Sequence, residues 1–140
     1  MKILAAVDGS PYTKRMLAYL TVHDEWLGAH HKYTLIHAVP AVPVRAAAVI
    51  DKATLKAYYD AEADKVFKPL RTFFDKRKLS AEFVSKVGSA ADLISQTAKA
   101  GHFDLVIMGS HGHGTLTNLV MGSVSTKVLS QCDIPVLLIR

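Results

Sequence analysis

The chain has 140 residues, half of them hydrophobic, which suits one domain over residues 1–140 with a sizeable core and argues against disorder. No apolar run approaches the roughly 18 residues that cross a bilayer, and the run after Lys2 stops at Asp8, too short for a signal peptide, so a soluble cytoplasmic protein is expected. The net charge of +5 comes from basic residues dispersed among acidic and apolar ones; only Lys76-Arg77-Lys78 forms a run, at a predicted helix end, so nucleic acid is not the expected partner.

Lys2 to Val7 is short and continuously apolar, the character of a strand buried on both faces. Ser10-Pro11 then supplies a capping residue and a proline for the first helical position. The stripe Tyr12, Met16, Tyr19, Leu20, His23 and Leu27 predicts a helix that Gly28 stops, with His23 and His30-His31 taken up in packing and surface roles. Tyr33 to Val39 is a second strand, followed by a proline-containing loop from Pro40 to about Ile50. From Asp51 the spacing of Leu55, Tyr59, Val66, Leu70 and Phe73 predicts a long amphipathic helix to about Lys78, which Pro69 should bend or break.

Glu82 to Val87 alternates only in part, which suits a half-buried strand at a sheet edge. Gly88 makes the turn, Ser89 caps the next helix with Asp92 at its third position, and Gly101 ends it. Asp104 to Met108 has, after its aspartate, the continuous apolar character of another strand buried on both faces, and Ser123 to Val128 opens a helix with Ser123 as N-cap and Val124 and Val128 on one face. Cys132 has no partner for a disulfide and no neighbours for a thiolate metal site, and Pro135 to Ile139 is the last strand.

Strands and helices alternate, so the fold class is a doubly wound α/β domain: a five-stranded parallel sheet in the order 3-2-1-4-5 with helices on both faces. The order reverses between the first and fourth strands, and open sheets of this kind bind ligands beyond the strand ends at that switch point. Asp8 ends the first strand and Gly109 follows the fourth, so the two meet there.

Between the fourth strand and the last helix stand Gly109-Ser110-His111-Gly112 and, after nine residues, Gly122-Ser123. Glycines between a strand's carboxyl end and a helix's amino end leave backbone N–H groups aimed at one point where the helix dipole favours an anion. The loop therefore reads as a phosphate site rather than an ordinary turn, its glycines supplying close approach and positive φ, with hydroxyls from Ser125 and Thr126. The lysine-bearing P-loop pattern is absent, and the dinucleotide fingerprint fails at Thr117. Asp8 could accept hydrogen bonds from a ribose or base, or cap the helix that starts at Pro11. His111 and His113 are spaced to share a metal, but no third ligand is evident nearby.

The pattern G-x2-G-x9-G-[ST], with Val7-Asp8-Gly9-Ser10 at the first strand end, Leu35-Ile36-His37-Ala38-Val39 in the second strand and Ile134 to Ile139 at the end, resembles the universal stress protein family. The likeness covers essentially the whole chain and points to the ATP-binding branch, with its adenine nucleotide alpha hydrolase-like fold. It implies a base pocket at Ala6, Val7, Asp8 and Ala38, with Met108 beside the base or sugar. It implies phosphate contacts at Gly109, His111, Gly112, His113, Gly122, Ser123, Val124 and Ser125. Where the family often has arginine or lysine after the second glycine this chain has His113, which makes phosphate affinity weaker or pH-dependent.

The expected function is a regulatory module that binds ATP or another adenine nucleotide, with Mg2+ held through the phosphates. An efficient phosphoryl-transfer enzyme would want a cationic group on the γ-phosphate and a dedicated metal carboxylate. The loop offers histidines and hydroxyls instead, so slow or no hydrolysis is expected; a slow ATPase is the alternative, and a nucleotide-free dimeric scaffold a third. Val136 to Ile139 is apolar throughout yet falls at a sheet edge, which predicts a homodimer built on that strand.

Overall fold

The computed structural model of the chain describes residues 1–23, 25, 28–114 and 120–140. Its elements run β1 (Lys2–Ala6), α1 (Pro11–Val22), β2 (Lys32–Val39), α2 (Val44–Ala47), α3 (Lys52–Lys76), β3 (Ala81–Val87), α4 (Ala90–Ala100), β4 (Leu105–Gly109), α5 (Ser123–Gln131) and β5 (Val136–Ile139). The five strands form one parallel sheet in the order β3-β2-β1-β4-β5. This is the fold class that the alternation of strands and helices predicts.

Side chains alternate across the strands and feed two cores. Ile3, Ala5 and Val7 of the β1 segment, with Leu105 and Ile107 of β4, pack under Met16 and Leu20 of α1 and Phe67, Leu70 and Phe74 of α3. Leu4, Val106 and Met108 point the other way, onto Ala91 and Ile94 of α4 and Val128 of α5. β1 and β4 are therefore buried on both faces, and each of their large side chains contributes about 1.5–3 kcal/mol of transfer free energy. β3, at the sheet edge, is at best half-buried, which explains its broken alternation.

The structure departs from the sequence expectations in local ways. Helix α1 ends at Val22 rather than running to Gly28, and its buried face is Thr13, Met16 and Leu20, with Tyr12 turned toward the sheet end. Leu27 lies outside the described residues. His31 is buried rather than at the surface, with its ring nitrogens on the Met1 amine and the Glu25 carbonyl. The loop after β2 contains the single turn α2. Helix α3 continues through Pro69; the residue is exposed, so the Lys65 carbonyl that loses its helical donor faces water.

Asp51 caps α3 by accepting from the Thr54 N–H at 2.9 Å. Burial pushes the Tyr33 phenol, packed edge-on to Phe74, up to about 12. None of the described helices is long and apolar enough to cross a membrane.

Candidate functional site

The thirteen residues that the family resemblance implies for the base and phosphate contacts all line one cavity of about 320 Å³ at the carboxyl ends of β1, β2 and β4, whereas Thr126 does not. That volume is at the small end of the range for ligand pockets, roughly 300–1,000 Å³. Ala6 is in register with Met108 on one side and Ile36 on the other, so the cavity sits where the chain leaves β1 and β4 in opposite directions. Small side chains at Ala6, Ala38 and Ala90, with Ile36, Ile94 and Met108, form an apolar wall. Facing it lies the glycine loop with the start of α5.

Asp8 ties this corner together. Its Oδ1 accepts from the Ser10 N–H at 2.9 Å and from the Thr13 hydroxyl at 3.0 Å, across a turn in which Gly9 takes φ +74°. Asp8 therefore orders the turn that leads into α1, without capping a helical N–H, and lines the cavity as well. The Asp8 carbonyl accepts from His113 Nε2 at 2.6 Å, which joins the β1 end to the glycine loop. Ser10 is the N-cap of α1 by position, but its fully buried hydroxyl has no partner and makes no cap bond to the first turn of the helix.

The loop closes through Ser110. Its N–H donates to the Ile139 carbonyl at 2.8 Å, and its own carbonyl accepts from the Gly122 N–H at 2.7 Å and the Ser125 hydroxyl at 2.8 Å. Gly122, not Ser123, is the N-cap of α5, which leaves the N–H groups of residues 123–125 in the first turn without intrahelical acceptors and aligned with the helix dipole. The hydroxyls of Ser125 and Thr126, expected to serve a phosphate, both reach the Gly122 carbonyl instead. Ser123 is exposed at the cavity. The buried face of α5 is Ser125 and Val128; Val124 does not share it but stands 38% exposed at the cavity mouth.

The glycines serve close approach and not positive φ. Among the described glycines only Gly9 and Gly88 have left-handed φ. A Cβ on Gly109 would come within 2.6 Å of the Tyr12 Cβ, and one on Gly112 within 2.8 Å of the Asp8 carboxylate. At Gly122 it would meet the Ser110 carbonyl at 3.2 Å and the His111 Cα at 3.3 Å. Packing alone thus requires glycine at 109 and crowds a side chain at 112 and 122, so the glycine pattern by itself does not distinguish a ligand site from a scaffold.

Tyr12, Thr13, Ser10, Ile36, His37, Ala90, Ile94 and Gly114 also line the cavity and were missed in the sequence. Ala90 carried a usable signal: in a parallel sheet the helix after an edge strand begins at the strands' carboxyl end, so the first turn of α4 had to lie here. His37, buried, donates from Nδ1 to the Val7 carbonyl at 2.8 Å. Tyr12 stacks on His111 with ring centroids 5.1 Å apart, and Arg15 lies over Tyr12. Behind the wall, Asp92 of α4 is bound to Gln131 and Lys127 of α5, hydrogen bonds that hold its carboxyl below the usual range. No lysine or arginine appears among the described residues lining the cavity, and no group of three or more His, Cys, Asp or Glu among them could hold a metal.

The model of the universal stress protein family matches residues 1–140. The chain belongs to that family. A universal stress protein of Thermus aquaticus, encoded beside a QAH/OAS sulfhydrylase, is 31% identical over 138 residues, which are 99% of this chain and 97% of the relative. The universal stress protein UspA from Lactobacillus plantarum superposes with a TM-score of 0.79 at 20% identity, covering 100% of this chain and 97% of that one. A family member from Arabidopsis thaliana with AMP bound superposes with a TM-score of 0.69 at 17% identity, covering 99% and 90%. These superpositions establish a shared fold.

Proposed function

We propose that this universal stress protein binds an adenine nucleotide in the cavity and acts as a regulatory binding module. One observation carries the reading: the free N–H groups at the start of α5 face the same cavity as the alanine-walled end of the sheet. A flat base fits against Ala6, Ala38, Ala90 and Met108, and phosphates fit against Gly109, Gly112, Gly122 and residues 123–125, with Asp8 and Val7 between them at the level of a ribose. The AMP bound to the Arabidopsis relative supports the choice of nucleotide class. ATP is the proposed physiological ligand. Mg2+ would be held by its phosphates, since the described residues offer no ligand cluster of their own.

Hydrolysis on this reading is slow or absent, because the described lining has no lysine or arginine, the permanently charged groups that stabilise a transferring phosphoryl group. The protein is further proposed to be cytoplasmic and to pair with a second copy through β5. Isothermal titration with ATP, AMP and adenosine tests the site. Binding of the phosphorylated nucleotides with weaker binding of adenosine supports it, and heats of dilution alone would reject it.

A further inference from the structure

Resting on the reading that the cavity holds an adenine nucleotide, we propose that His113 serves the phosphates only in its protonated form, so that the site takes up a phosphorylated nucleotide together with a proton. The argument starts at the Asp8 carbonyl, which lies 2.6 Å from His113 Nε2. A carbonyl oxygen can only accept, so Nε2 carries a hydrogen in every protonation state that keeps this bond. In the neutral imidazole the other nitrogen, Nδ1, then bears a lone pair, which repels a phosphate oxygen. Protonation places an N–H and a positive charge at Nδ1 while the bond to Asp8 persists. The backbone of the neighbouring segment thus fixes the tautomer that makes the neutral ring a poor phosphate ligand.

His111 has a different contact at Nδ1. Its Nδ1 lies 2.9 Å from the Ser110 hydroxyl, which can donate or accept, so that contact selects no tautomer. The other ionisable groups about the corner are few. Asp8 turns Oδ1 to the Ser10 N–H and Thr13 hydroxyl; Tyr12 stacks on His111 beneath Arg15; His37 is bonded to the Val7 carbonyl. On α5 the first ionisable side chain is Lys127, which is directed to Asp92. On the loop side of the described lining, His113 is therefore the residue whose neutral tautomer a backbone carbonyl fixes, so that only its charged form offers a phosphate a second N–H.

The proposal predicts a pH trend of definite sign. Lower pH charges His113 and strengthens binding of ADP, whereas the terminal phosphate of ADP loses negative charge on protonation, with a pKa near ~6, and would weaken binding. The ligand's loss of charge thus works against the rise in affinity that a charged His113 predicts, and the His113→Gln variant separates the two. Adenosine, with no phosphate, should bind without this slope.

The test is calorimetric titration of the full chain with ADP and with adenosine between about pH 5.5 and 8.5, in pairs of buffers with different ionisation heats. The expected result is an ADP affinity roughly tenfold or more higher at the acid end, of the size a charge-assisted hydrogen bond supplies, with net proton uptake near neutral pH. His113→Gln should flatten the slope and remove the uptake, and His113→Arg should hold ADP tightly at the alkaline end. Equal slopes and proton uptake in wild type and His113→Gln would overturn the proposal while leaving the nucleotide site standing. Absence of both ADP and adenosine binding at every pH would overturn the nucleotide reading itself. Independently of any variant, nitrogen-15 spectra of the neutral wild-type ring should show the hydrogen on Nε2; a hydrogen on Nδ1 would defeat the tautomer argument.

Discussion

The Ser125 hydroxyl reaches back fifteen residues to donate to the Ser110 carbonyl at 2.8 Å, and in doing so fastens the start of α5 to the end of β4. Both residues are almost fully buried, and no charged group takes part. Ser125 was expected to contact phosphate through its side chain; the structure spends that hydroxyl on the loop and leaves the Ser125 N–H for a ligand.

Ser125→Ala should therefore lower stability by about 1 kcal/mol, the cost of one buried neutral hydrogen bond, measured by urea unfolding. Ser110 keeps its bond from the Gly122 N–H, so the fold persists. ATP affinity should fall several-fold because the first turn of α5 loses its tether. Unchanged stability would show that the tether is energetically idle.

A second prediction contrasts two glycines of one loop. Gly109→Ala forces its Cβ to 2.6 Å from the Tyr12 Cβ, an overlap relieved only by moving α1 or β4, and should cost about 1–3 kcal/mol. Gly114→Ala meets nothing within 4 Å and should fall within about 0.5 kcal/mol of wild type. Thermal or urea denaturation of the pair decides the matter; equal effects would contradict the packing explanation of the glycine pattern.

Much of this was legible in the sequence for a physical reason. β1 and β4 are buried on both faces, so their apolar runs are unbroken, and alternation of strands with helices leaves few topologies under right-handed crossover. The cavity was legible because Asp8 and Gly109 follow adjacent parallel strands. What failed was local. The turn fixed by Asp8 sets the rotation of α1, so that Thr13 rather than Tyr12 points inward, and a tertiary contact of this kind has no 3.6-residue signature. Helix α2 escaped notice because its four residues are exposed or half-exposed and bury no stripe. The phosphate-ready look of Ser125 and Thr126 could not reveal that their hydroxyls are taken by the Gly122 carbonyl.

Phosphate release with excess Mg2+ and ATP should remain well below the ~1 s⁻¹ of an efficient phosphoryl-transfer enzyme. The described cavity lining carries Asp8 and three histidines but no lysine or arginine, and Asp8 Oδ1 is engaged by Ser10 and Thr13. Turnover at or above that rate would reject the regulatory reading and make His111→Ala and His113→Ala the next experiments.

Alkaline unfolding should report Tyr33. Burial raises its phenol from about 10 to about 12, so the folded state favours the neutral form. The sign follows from linkage: this contribution to stability is complete below pH ~10, where folded and unfolded chains both hold the proton, and is lost as pH rises towards ~12. Tyr33→Phe has no such proton to lose. Its stability, followed by circular dichroism, should decline less steeply than that of wild type over that interval; parallel declines would remove Tyr33 as the cause.

The last prediction concerns the open edge of β5. Val136, Leu137 and Leu138 are apolar yet only partly buried, although each packs against one of the two cores. The carbonyls of Pro135 and Ile139 accept from the N–H groups of Val106 and Ser110, so these alternate residues face β4. By the parity of a parallel ladder, Val136 and Leu138 then turn their backbone N–H and C=O groups to the free edge. An apolar edge with unmatched donors and acceptors favours a second strand, and the closed solution for identical chains is a two-fold dimer in which β5 meets its own copy antiparallel. Light scattering at micromolar concentration should accordingly give twice the 15.2 kDa chain mass. Leu138→Pro removes a donor from the free edge without touching the ladder to β4, and should shift the protein towards one chain mass while far-ultraviolet circular dichroism stays native-like. A wild-type chain that is monomeric throughout that concentration range would refute the dimer. A dimer untouched by Leu138→Pro would place the interface on another face.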